Sequence, residues 1–273
     1  MLWKIALLGS ILPVFGATNA ALVASLAGTA VTDQSKPVAV LEWISDGAVL
    51  HTGDNSKIVV ILLNGHRFEL GPNARATVGA AHLWNMAGPI RELTALPPMP
   101  KPAPLRVAAE ATPATSFRGG GEIRGLYPRQ GMYALPGPGK LSFQAVEGAA
   151  AYSIVLEDSD GNAIADRQSA KPEIEVSLEA AKNYSWRVRA MGAAGVIAEA
   201  QASFATFSGE QAKARTAFAT AVESNPALLA EVDLEDGLLR EAIGEFHAAL
   251  QANPADAAAR RRLARAESAL AGK

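Results

Sequence analysis

The 273-residue chain has no cysteine. That excludes disulfides, thiol nucleophiles and zinc–cysteine sites outright, and with them an N-terminal lipid-bearing cysteine. An excess of charge is missing too: 25 Lys and Arg stand against 27 Asp and Glu, a net charge of −2. Such a chain carries no global pull toward nucleic acid or an anionic membrane surface. No G-x-x-x-x-G-K-[ST] phosphate loop, G-x-G-x-x-G fingerprint or G-x-S-x-G nucleophile elbow occurs. The glycines of "GGGEIRG" (119–125) lack the strand and helix that a phosphate loop requires.

What is present changes character along the chain. "MLWKIALLGSILPVFGATNA" places Lys4 before an apolar stretch, Ile5 to about Ala17, and small residues follow. This is the layout of a secretory signal peptide over residues 1–27, with cleavage after Ala20 or Ala27. The apolar core is shorter than the roughly 20 residues of a spanning helix, and Thr18 and Asn19 interrupt it. The expected location is therefore periplasmic or secreted, with no integral membrane segment after cleavage.

Residues 37–92 read as a small β-domain. Strands are expected at Val38–Ile44, Lys57–Leu63, Arg67–Leu70 and Ala74–Val78, divided by turn pairs at Asp46-Gly47, Asn64-Gly65 and Gly71-Pro72-Asn73. Residues 93–122 are rich in proline and end in glycines, the composition of a linker. Residues 123–207 alternate with period two: Leu141, Phe143 and Ala145; Tyr152, Ile154 and Leu156; Ile174, Val176 and Leu178; Tyr184, Trp186 and Val188. Alternation broken by turns every 8–12 residues predicts an antiparallel β-sandwich. Residues 208–273 are rich in Ala, Leu, Glu and Arg and read as helical. The fold class is thus multidomain, mainly β, with an α-helical C-terminus.

Three resemblances follow from particular residues. Gly53-Asp54, the apolar Ile58–Leu63, Asn64-Gly65, Phe68–Leu70 and Gly71-Pro72-Asn73 resemble a FecR-like domain, which implies a β-rich, non-enzymatic envelope module. Family members best known for periplasmic signalling carry a cytoplasmic part that this chain does not show before its apolar segment. Leu178 six residues before Tyr184, with Trp186 and Val188, resembles the tyrosine corner of fibronectin type III and immunoglobulin-like sandwiches. The absent cysteine pair suits the former. Ala214, Phe218, Ala221 and Pro226 repeat as Ala242, Phe246, Ala249 and Pro254, which resembles the second helix of a tetratricopeptide repeat. The 28-residue spacing is shorter than that family's 34, and Asp233 stands where an aromatic is usual. An amphipathic hairpin capping the sandwich is the alternative.

His51, Asp54, His66 and Glu69 surround the apolar run and pose the question of a reactive site. His66 and Glu69 are three apart on a strand, which turns them to opposite faces. His51 and Asp54 flank a turn and would leave a metal incompletely coordinated. "DSDGN" (158–162) would need a glutamate at position twelve to be an EF-hand loop, and Ser169 stands there. His82 adjoins Trp84, and His247 follows Phe246. Arg260, Arg261, Arg262 and Arg265 complement a helix C-terminal half. No catalytic, metal or cofactor residue is assigned. The expected function is protein binding or scaffolding in the bacterial envelope, without enzymatic activity or nucleic-acid contact. Glycan or peptidoglycan binding through exposed Trp43 and Trp84, or FecR-like signalling, are the alternatives.

Overall fold

The computed structural model describes residues 18–101 and 121–271. Two β units and a helical layer make up the fold.

The first unit has nine strands: β1 (Asn19–Ala27), β2 (Ala30–Thr32), β3 (Trp43–Ser45), β4 (Val49–Thr52), β5 (Lys57–Leu62), β6 (Arg67–Leu70), β7 (Arg75–Val78), β8 (Leu83–Ala87) and β9 (Ile90–Leu93). They form one sheet in the order β3-β1-β5-β6-β9 and another in the order β2-β4-β7-β8. Ala21, Val23, Leu50, Ile58, Val60, Leu62, Ala76 and Val78 pack between the sheets. Leu22 and Ile61, paired across β1 and β5, face the other way and pack under the helices. The first half of β1 and most of β5 are therefore covered on both faces. That explains why their sequences are apolar runs rather than alternating patterns.

Several boundaries differ from expectation. The leader expected over residues 1–27 falls mostly outside the described residues, but its last nine residues form β1. β1 lies between β3 and β5, with Ala20 to Val23 fully buried. Cleavage after Ala27 would remove this central strand, so the β-domain starts at residue 19 rather than 37. The strand expected at Val38–Ile44 shortens to β3, because Leu41 takes a left-handed conformation (φ +63°) that breaks the extended run. The expected linker starts as packed chain. Leu96 N–H donates to the Gly65 carbonyl and Met99 N–H to the Leu63 carbonyl, and Met99 is buried. Residues 102–120, the rest of that linker, lie outside the described residues.

The second unit contains β10 (Gly121–Glu122), β11 (Tyr133–Ala134), β12 (Gly137–Ser142), β13 (Ala151–Asp158), β14 (Ala163–Ser169), β15 (Glu173–Leu178), β16 (Asn183–Gly192) and β17 (Gly195–Thr206). One sheet runs β10-β17-β16-β13-β14, with β11 also on β17, and β12 pairs β15 opposite it. This is a fibronectin-type-III-like sandwich. The alternating residues named above point inward, except Ala145, which is exposed beyond the end of β12. The tyrosine corner is present: Glu179 N–H donates to Tyr184 Oη at 2.8 Å. Asp158 closes the β13–β14 hairpin by accepting from the amides of Asp160 and Asn162.

Four helices follow: α1 (Gly209–Ala221), α2 (Pro226–Glu235), α3 (Leu239–Ala252) and α4 (Ala257–Leu270). Ser208 and Gln211 form a reciprocal capping box at α1, and Asp256 caps α4. Pro226 starts α2 as the repeat pattern predicts. Pro254 does not start α4; it precedes the Asp256 cap in the turn. Phe218, Phe246, Ala242 and Ala249 are buried, whereas Ala221 is exposed, so the two copies of the repeat are not equivalent. The helices do more than cap the sandwich. Their core joins Leu22, Leu41, Ile61 and Met99 of the first unit to Tyr127 and Met132 beside the second.

Candidate functional site at the junction of the modules

α2 is the hub. Every residue from Ala227 to Leu234 is buried, on all sides of the helix. A helix so enclosed is ordinarily apolar all round. This one carries Glu231 and Asp233 with no exposed surface, and Asp236 follows at its C-cap, 9% exposed.

Each acid meets a different element. Asp233 receives a two-pronged hydrogen bond from Arg215 of α1, at 2.8 and 2.6 Å. Burial nevertheless pushes its carboxyl up to about 6 against the pull of Arg215. Glu231 lies 3.3 Å from Arg262 Nε of α4. That pair lacks hydrogen-bond geometry, and neither Glu231 oxygen has a hydrogen-bond partner among the described residues. Burial raises Glu231 to about 7, while Arg262, Arg265 and the nearby Trp43 indole favour its charged form. Trp43 Nε1 itself is buried without a hydrogen-bond partner. Asp236 rises to about 8 through burial and then through the neighbouring charges of Asp233 and Glu235.

The first unit is tied on by polar contacts as well as by the shared core. Arg262 donates to the carbonyl of Leu41, the strained left-handed residue, and Asn19 Nδ2 donates to Glu235 at 2.7 Å. On the sandwich side, Arg240 of α3 lies over the Tyr127 ring at 4.0 Å and donates to Ser142 Oγ. Tyr127 Oη donates to Glu241 at 3.4 Å, and burial holds this phenol well above its ordinary range. Trp186 Nε1 donates to the Pro128 carbonyl at 2.8 Å.

A cleft of about 530 Å³ is lined by Trp43, Leu63, Lys101, Glu235 and Asp236. A groove of about 720 Å³ runs between α3 and the sandwich, lined by Tyr127, Lys140, Arg167, Glu175, Arg240 and Glu241.

The residues that posed the question of a reactive site do not converge. His51 lies on β4, in a different sheet from Glu69 of β6, and His66 sits in the turn just before β6 rather than on the strand with Glu69. His66 pairs with Glu92 of β9 at 2.6 Å, and Glu69 is held between Lys57 and Arg91. Asp54 sits in the β4–β5 turn. Among the described residues no three His, Asp or Glu side chains could hold a metal ion together. His247 faces Glu267 at 4.0 Å on the exposed side of the helices. The two tryptophans of the glycan reading diverge: Trp43 packs into the junction, whereas Trp84 is 54% exposed. Of the buried acids of α2, the sequence patterns single out only Asp233, which stands where an aromatic is usual. The signal is in "PALLAEVDLED", four acids in an otherwise apolar stretch, of which Glu231, Asp233 and Asp236 are buried.

No family model matches the chain, and no curated protein matches it, so the FecR-like and tetratricopeptide-like resemblances gain no support there. Solved structures do match, at low similarity. The fn3 domain of the human collagen alpha-1(XX) chain is 16% identical, with a TM-score of 0.28, over 38% of this chain and 94% of that one. FN3tt is 22% identical, with a TM-score of 0.27, over 32% and 96%. The FN5 domain of Drosophila Lar is 17% identical, with a TM-score of 0.25, over 33% and 99%. Each likeness covers about a third of this chain, and the sandwich assignment rests on the chain's own strand order and tyrosine corner.

Proposed function

We propose that the protein is a non-enzymatic, exported envelope component that binds or scaffolds other proteins through its β-units and helical layer. The FecR-like reading of the first unit and the tetratricopeptide-like reading of the tail belong to this proposal. The observation that carries it is β8. This strand ends its sheet, contains no charged residue, and exposes Trp84 and Met86 at 54% and 52%. Free edges are usually guarded by charge or proline. β9, at the edge of the other sheet, carries Arg91 and Glu92. An unguarded edge with large apolar side chains suits the addition of an extended strand from a partner protein.

The test is a photo-crosslinking amino acid at position 86 in intact cells. A discrete crosslinked species is expected there, and none from a probe at the exposed Lys171. Crosslinking indistinguishable between the two positions refutes the reading, and recovery of the protein only in the cytoplasm refutes export.

A second reading is favoured by the Trp84 ring. It lies so close over Gly79 that a Cβ there would meet it at 2.3 Å, leaving the rest of the ring to solvent. An aromatic platform of this kind suits stacking on a sugar. Retention on purified cell wall that Trp84→Ala abolishes is the expected result of that reading. No retention of the unsubstituted chain ends it.

A further inference from the structure

The four arginines of α4 do not share one role. Arg260 turns back to the Pro254 carbonyl. Arg262 turns inward to Leu41 and Glu231. Arg261 and Arg265, one helical turn apart, are exposed, and neither has a hydrogen bond or ion pair among the described residues. With Arg262 they line a cleft of about 250 Å³, closed on the other side by Ala39, Val40 and Glu42 of the first unit. Ala258 completes the wall.

The charge in this cleft is unbalanced. Glu42, the carboxylate among its lining residues, is already engaged by Lys36 at 2.5 Å and by the Ala39 amide at 2.9 Å. Glu231 is not among the lining residues; it is buried 3.3 Å from Arg262 Nε and also acts on Arg265. Two exposed guanidinium groups therefore border a small, partly walled space without a hydrogen-bonded or ion-paired anion among the described residues; the one carboxylate that acts on either is the buried Glu231, at a distance from Arg265. A lone carboxylate would match one of the two. A phosphoryl group carries about −1.5 to −2 at neutral pH and three acceptor oxygens, enough for both guanidinium forks.

We propose that this cleft binds a phosphoryl group held between Arg261 and Arg265, bridging α4 and the 39–42 segment. The group could be free inorganic phosphate or the phosphomonoester headgroup of a lipid, and both present the same oxygens.

The full chain is titrated with inorganic phosphate at constant ionic strength, with chloride as the balancing salt, and heat and amide shifts are followed. In parallel it is sedimented with phosphatidylcholine vesicles with and without phosphatidic acid. Saturable binding is expected in at least one arm, weakened at least tenfold in R261Q/R265Q and changed less than twofold in R260Q. R261K/R265K, which keeps the charge but loses the planar fork, is expected to fall between. Both replaced side chains are exposed, and a thermal melt of each variant verifies the fold. Binding in the phosphate arm alone identifies a soluble phosphoryl ligand, and binding to phosphatidic acid vesicles identifies the headgroup. No saturable binding in either arm, or equal binding by R261Q/R265Q, overturns the proposal.

Discussion

Arg215 grips Asp233 through two guanidinium nitrogens, Nε at 2.8 Å and Nη2 at 2.6 Å from the two carboxylate oxygens. Asp233 has no exposed side-chain surface and Arg215 only 14%. Burial still leaves the acid with a raised pKa, so the bond offsets its desolvation without exceeding it. Removing one partner strands the other charge. Arg215→Ala should therefore cost about 3–5 kcal/mol, while Arg215→Met with Asp233→Leu should cost much less than either single change. Urea denaturation of the three variants checks this, and additive effects would contradict it.

Stability should fall as pH rises through the neutral range. Glu231 and Asp236 stand at about 7 and about 8 in the fold, against ordinary values of 4.5 and 3.8. Each binds more protons folded than unfolded, so their contribution is fully present below about pH 4 and is lost progressively up to about pH 8. Glu69 and Asp158 act the opposite way, because Lys57 and Asn162 hold them below their ordinary values. Their contribution is lost only as the pH falls below about 4.5, a separate window. Glu231→Gln should flatten the decline in melting temperature between pH 5 and pH 8. A melting temperature that climbs over that interval in the unsubstituted chain would be incompatible with neutral buried acids.

Gly65 and Gly47 share a left-handed backbone, φ +89° and +79°. They differ in what a side chain would strike. A Cβ at Gly65 would lie 2.1 Å from the Leu96 carbonyl oxygen, whereas at Gly47 nothing lies within 4 Å. Gly47→Ala should cost about 1 kcal/mol, the conformational term alone. Gly65→Ala should cost clearly more, because the 94–101 segment must lift off the hairpin. Equal midpoints in denaturant for the two variants would show that this segment is not docked on Gly65.

Tyr184→Phe should destabilise the chain by about 1–2 kcal/mol. It removes the acceptor of the Glu179 amide without changing the packing of the ring, which is 3% exposed. Thermal unfolding measures it, and an unchanged midpoint would mean that water replaces the hydroxyl.

The sandwich was the most legible part of the chain. Its inward residues alternate because each sheet buries one face, and a period of two survives intact in such strands. Leu178 and Tyr184 were readable for the same local reason: a six-residue spacing sets the corner. Asn64-Gly65 marked its hairpin because that turn needs a positive φ. The repeated Phe218 and Phe246 marked the helical seam, although the unequal burial of Ala221 and Ala249 could not be read from a repeat that treats them alike.

The candidate site was hardly legible. His51, His66, Glu69 and Asp54 drew attention because they are close along the chain, and the fold separates them. The acids of α2 are each close in space to residues far along the chain: Glu231 to Trp43 and Arg262, Asp233 to Arg215. Nothing in a local pattern encodes such pairings.

β1 shows where local pattern stops. "NAALVASLA" has the apolarity and small residues of a leader's end, and equally those of a central strand. Composition, turns and alternation are properties of neighbouring residues, so they identified the β-units, the hairpins and the helical tail. Whether an apolar run is removed, spans a lipid phase or forms a strand depends on what covers its second face. Here one face of β1 meets Leu50, Ala76 and Val78 of the opposite sheet, and the other meets the helices. That second cover comes from residues some 200 positions further along the chain, and only the packed fold brings it there.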